Sequence, residues 1–191
     1  MSTMKRTSQA TRAHDELSDR IRQAGMLLLR CDMDGDMASA RQDGDWLASL
    51  IERPAIVRAG LRHAAGQWCD RPEPALCRGI PGLWFIPMPV EERRNRTGYD
   101  VICVPCDTLL ASEQFGLLCQ AASIDAEHAR GACAALPPTA ENDIRRIATL
   151  LRGTWSDVRR CRDSEDALED VGRELAESYE EINLLYSITR N

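Results

Sequence analysis

Cys103-Val104-Pro105-Cys106 is the most compact chemical motif in the chain. A C-x-P-C pair does redox work when its first thiol sits at a helix N-terminus, where the helix dipole favours the thiolate. Here Tyr99-Asp100-Val101-Ile102-Cys103-Val104 is aromatic and β-branched, so Cys103 is expected inside a strand and away from that activation. With Cys69 and Cys77 the pair could form a tetrathiolate zinc site, although the gap between those two is wider than the usual knuckle. The competing state is that the cysteines are small buried hydrophobes, which is the expectation for the chain as a whole, with no cofactor.

Asp32, Asp34 and Asp36 start like a calcium loop, which needs Gly at its sixth position and Glu at its twelfth. Those positions hold Met37 and Asp43, so the cluster reads as a solvated turn. Arg93, Arg94 and Arg96 could clamp a phosphate or grip an acidic partner, or form an ordinary charged loop beside Glu91 and Glu92. Trp68, Trp84, Phe85 and Tyr99 are candidates for a small-molecule pocket, and equally for core. No Ser/His/Asp or Cys/His nucleophile pattern surrounds His14, His63 or His128, and Glu180-Glu181 belongs to an exposed helix. The chain is therefore expected not to be an enzyme.

The elements that must position these residues read as an α+β fold, mostly helical, with a small β-hairpin-based sheet and a long C-terminal coiled-coil helix. Residues 1–13 are polar and expected as a flexible tail, and 14–140 as a folded domain, to which the resemblance given below assigns a sensory or regulatory role. Leu17, Ile21, Ala24, Leu28 and Cys31 recur at helical spacing and predict a helix from His14 to Cys31. Further helices are expected over Asp45–Ile51 and from Pro54 to Trp68, with Ile56, Ala59, Leu61 and Ala64 packing. Cys69–Gly82 reads as an irregular connection. Leu83–Val90 and Tyr99–Val104 predict a hairpin with a long charged loop, whose prolines 87 and 89 put the first strand at an edge or break it. A helix from Ser112 to near Asp125, another over Ala126–Ala135 and an N-cap at Thr139 follow.

From 141 to 191 there is neither Pro nor a turn cluster. Leu168, Val171, Leu175, Ser178, Ile182 and Leu185 continue a 3-4 alternation, while residues 162–181 carry a net charge of −7. So acidic a segment has too little apolar surface for a core of its own, but one stripe suffices for a two-stranded parallel coiled coil over about 162–191. The pattern is still running at Ile188-Thr189-Arg190-Asn191, and the expectation is that the protein continues.

Across all 191 residues, 24 Lys and Arg face 30 Asp and Glu, a net charge of −6. That balance lacks the basic face nucleic-acid binding requires. The longest uncharged run, Gly79–Val90, falls short of the roughly 20 residues that span a bilayer. With no export signal in its N-terminal residues, the chain is expected in the cytoplasm, touching neither nucleic acid nor membrane.

Glu174-Leu175-Ala176-Glu177-Ser178-Tyr179-Glu180-Glu181-Ile182-Asn183-Leu184-Leu185-Tyr186 resembles the signalling helix of multidomain bacterial regulators. Leu83–Val90 with Arg93-Arg94, Gly98-Tyr99 and Ser112-Glu113-Gln114-Phe115 resembles the amino-terminal domain of such regulators, notably from planctomycete-type bacteria. The resemblance implies a dimeric signal-transduction module joined to a GAF domain. Beyond it would lie an output domain: an HD-GYP phosphodiesterase, SpoIIE-type phosphatase, diguanylate cyclase or histidine kinase. The expected function is a non-catalytic relay. Its rivals are an interaction adaptor without ligand and a zinc- or redox-sensing module using Cys69, Cys77, Cys103 and Cys106.

Overall fold

The computed structural model describes residues 17–37, 45–92, 95–137 and 139–189. The expected tail over 1–13 lies outside them. Two units divide the chain, Met1–Ala148 and Thr149–Asn191.

Residues 17–23 form the described part of helix α1. The helix expected to run on to Cys31 ends here instead, at Gly25. This residue has φ +78°, and its amide bonds the Arg22 carbonyl at 2.9 Å. The Met26 amide reaches back to Ile21 at 3.1 Å, completing a Schellman stop. The chain then enters strand β1, Leu27–Asp32, where Leu27, Leu28 and Leu29 are all buried. A continuous apolar run fits a strand covered on both faces as well as it fits a helix, and tertiary burial decided the matter.

Helix α2, Trp46–Glu52, starts at Asp45, whose carboxylate accepts from the Leu47 amide. Helix α3 runs Ala55–Trp68. It buries Val57, Leu61, Ala64, Ala65 and Trp68, whereas Ile56 and Ala59, expected to pack, point outward. Starting the helix at Ala55 turns the 57-61-64-68 stripe inward.

The connection expected to be irregular contains strand β2, Cys77–Ile80. Strands β3, Leu83–Glu92, and β4, Asn95–Pro105, form the expected hairpin. Its long loop is absent, because Glu91 and Glu92 pair with Arg96 and Asn95. The sheet is antiparallel, in the order β1-β4-β3-β2. Strand β3 is therefore internal where β2 covers it and open beyond Phe85. Prolines lack an N–H, so Pro87 and Pro89 fit with their nitrogens turned to the edge that β2 leaves open, and neither breaks the strand. Gly82 joins β2 to β3 at φ +75°, where a Cβ would lie 2.4 Å from the Leu109 amide nitrogen.

Because neighbours along a strand face opposite ways, β4 buries both faces through Val101-Ile102-Cys103-Val104. One face carries Leu27, Leu29, Cys31, Phe85, Tyr99, Val101 and Cys103 into the main core with α2 and α3. The other buries Leu28, Ile86, Met88, Ile102 and Val104. On that second face the buried Asp100 is held by Arg30 directly across the ladder, at 2.7 and 2.9 Å.

Helices α4, Asp107–Leu110, α5, Glu113–Ala122, and α6, Ala126–Ala134, follow. Ser112 and Asp125 precede α5 and α6, and a left-handed Ser123 ends α5 ahead of the expected stop. Thr139 does not cap the last helix; its carbonyl accepts from the Asp107 amide, and a 3₁₀ turn, Glu141–Asp143, comes next. Helix α7 spans Ile144–Thr189. The fold class is the expected one, α+β with a long C-terminal helix. Among the described residues no helix is long and apolar enough to cross a membrane.

Candidate functional site

Among its described residues the second unit consists of one stretch of helix. Leu168 is 72 % exposed, Val171 55 %, Leu175 54 % and Ile182 49 %. Their 3-4 spacing places them on one face of α7, with the exposed Ser178 in the same row. The side chain of Leu185, the last member of the expected stripe, lies outside the described residues. Tyr179, one position past Ser178, flanks the row and is also exposed. Cys161 occupies the same row one heptad before Leu168 and is exposed.

The second feature, in the first unit, is a polar cluster at the root of α7. Glu141 sits in the 3₁₀ turn immediately before the helix. Its Oε1 pairs with the Arg78 guanidinium of β2 and accepts from the Trp84 indole N–H of β3 at 3.2 Å. Its Oε2 accepts from the Thr108 hydroxyl of α4 at 3.3 Å. Arg78 also stacks over the Trp84 ring, 5.0 Å from its centroid. One carboxylate thus joins three elements. The sequence marks Glu141 only as an acid ahead of a helix, and nothing local announces a partner 63 residues away.

The four pocket candidates separate. Trp68, Phe85 and Tyr99 are fully buried in the main core, Trp68 and Tyr99 edge to face at 5.1 Å. Trp84, next to Phe85 on the strand, points to the opposite face and joins the Glu141 cluster. Arg96 turns inward from the hairpin. Its guanidinium donates to the carbonyls of Trp68, Arg71 and Pro72 at 3.2, 2.8 and 2.8 Å, satisfying the C-terminal end of α3. Those bonds engage the Arg96 guanidinium, one of the three arginines that could clamp an anion or form a charged loop; Arg93 and Arg94 lie outside the described residues.

The four cysteines of the supposed zinc site do not converge. Among the described residues no three His, Cys, Asp or Glu side chains group around a common point. Cys103 faces the main core opposite Leu27 and Phe85, while Cys69 lies exposed beyond α3 with its thiol on the Gly66 carbonyl. Cys106 is buried just ahead of α4. Burial pushes the Cys106 thiol up to about 12, aided by the negative charges of Glu141 and Asp107. Burial likewise pushes Cys31 up to about 12 and Cys77 to about 11, and raises Cys103 well above the ordinary thiol value. These are the opposite of activated nucleophiles. Compared with known proteins, the chain matches no family model, no curated protein and no solved structure.

Proposed function

We propose that this chain is a non-catalytic regulatory module of the cytoplasm, relaying a signal from its first unit through a parallel α7 dimer to a downstream output domain. The observation that carries this reading is the exposed apolar row Leu168, Val171, Leu175 and Ile182 on a 46-residue helix. Helices in water that expose such a stripe gain by burying it against a second one.

The residues beside the row favour a parallel partner. With Leu168, Leu175 and Ile182 at a positions and Val171 and Ser178 at d, Glu174 and Glu181 fall at g, and Tyr179 and Tyr186 at e. A parallel pair sets each g residue against e of the next heptad on the other helix. Glu174 then meets Tyr179 of the second copy, Glu181 meets Tyr186, and Arg160 meets Glu165. The antiparallel register that keeps the same apolar layers sets Glu174 against Glu181 twice, a like-charge contact. A dimer with few discrete packings can pass on a shift of rotation or register from one end to the other.

Cys161 tests the arrangement because it occupies an a position and is exposed. In the parallel dimer the two Cys161 thiols share a layer; in the antiparallel register they stand about 46 Å apart along the axis. Short bismaleimide treatment of the full chain is expected to give a covalent dimer that Cys161→Ser abolishes and Cys69→Ser leaves intact. A chain that sediments as a monomer at tens of micromolar points to the adaptor reading. A dimer that does not couple through Cys161 overturns the parallel relay.

A further inference from the structure

We propose that Glu141 is the coupling residue between the sheet and α7: its carboxylate is a latch that holds the root of the helix to β2, β3 and α4. The proposal deepens the relay reading above and rests on it for its meaning, though not for its geometry.

Three donors reach this carboxylate from three elements, Arg78, Trp84 and Thr108. Beyond it, Ile144, the first residue of α7, and Ala148, about one turn further on, are buried. The polar bonds fix where the helix starts, and the apolar residues hold its first turns down. The same place is tied a second time, by the Asp107 amide on the Thr139 carbonyl at 3.0 Å.

The latch is built where the sheet is easiest to move. β2 is four residues long, lies at the end of the sheet and carries a register shift between Arg78 and Ile80. A short edge strand with a bulge has few ladder bonds to resist displacement. Arg78 is 52 % exposed and the Glu141 side chain 26 %, so water competes for both partners and the pair opens at low cost. A displacement of β2 moves the guanidinium, and with it the carboxylate three residues before α7. Arg78 stacked on Trp84 makes the indole a reporter of that event.

The test uses the full chain with Glu141→Gln, which keeps the side chain's shape and removes its charge, and Arg78→Met, which removes the partner. Amide hydrogen exchange is read at residues 144–148 and, as a control for global stability, at β4 residues 100–104. Glu141→Gln is expected to speed exchange at 144–148 about ten-fold while β4 is unchanged, since charge-assisted hydrogen bonds have been lost locally. Arg78→Met is expected to do the same, and the double variant to add little, because both remove one interaction. Arg78→Lys should restore part of the protection. Unchanged exchange at 144–148, or an equal rise at 144–148 and in β4, overturns the latch. Bismaleimide coupling at Cys161 is measured on the same samples: its absence in the parent chain defeats the dimeric relay and leaves the latch result standing. With a dimer present, a Cys161 coupling yield that no latch variant alters defeats the transmission role.

Discussion

At the scale of single residues, the cysteines show how far environment decides chemistry. Cys31, Cys103 and Cys106 lie buried, and Cys69 and Cys161 are exposed. Burial disfavours the charged thiolate, so the folded chain keeps protons that unfolding would release. An unfolded thiol ionises near 9.0, whereas Cys31 and Cys106 are pushed up to about 12. Below pH 9 both states are protonated and the stability is whole. Between pH 9 and 12 only the unfolded state loses protons, so stability falls as pH rises. Each such thiol contributes a slope of at most about 1.4 kcal/mol per pH unit. Melting temperatures are expected to hold up to pH 8.5 and drop steeply by pH 10.5, while at neutral pH a maleimide labels Cys69 rapidly and the buried thiols slowly. Fast labelling of Cys103 in the folded chain would contradict this account.

At the scale of elements, the strands and α7 differ in what completes them. The middle of β4 is buried on both faces by its own unit, and the Arg30–Asp100 pair satisfies the buried carboxylate there. The apolar row of α7 is exposed, and the hydroxyl of Ser178 interrupts it between Leu175 and Ile182. Ser178→Leu would supply the missing d layer from both helices of a dimer. Burying two leucines contributes roughly 3 kcal/mol, or on the order of a hundred-fold tighter association. Sedimentation equilibrium of the variant against the parent chain measures this, and the same change is expected to lock the pair and blunt signalling in a chain carrying its output domain. No gain in affinity would remove Ser178 from the seam.

At the scale of the whole molecule, charge opposes what the apolar row favours. Residues 162–181 hold nine acidic side chains and two arginines. Parallel pairing in register brings two such segments side by side, so the dimer carries a repulsion that salt screens. Raising ionic strength from about 20 mM to 0.5 M, where the screening length shrinks from tens of ångströms to a few, is expected to tighten association several-fold. An interface held by ion pairs would weaken instead, and a dissociation constant that rises with salt would point to pairing of the basic part of α7 with the acidic part.

The amino-acid sequence by itself determined the helices whose signals are local. A run without proline set α7, Asp45 set a helix start, and aromatic and β-branched residues set the hairpin. The apolar row of α7 was legible for the same reason, since helical spacing alone places Leu168, Val171, Leu175 and Ile182 together. Tertiary structure decided whatever depends on residues distant in the chain. Leu27–Asp32 became a strand because β4 offered it a ladder. Trp84 and Phe85 parted to opposite faces, and Arg96 turned to the end of α3. Arg78, Trp84 and Thr108 met at Glu141 because the sheet order and the turn before α7 brought them there, and a pairing across 63 residues leaves no periodicity to read.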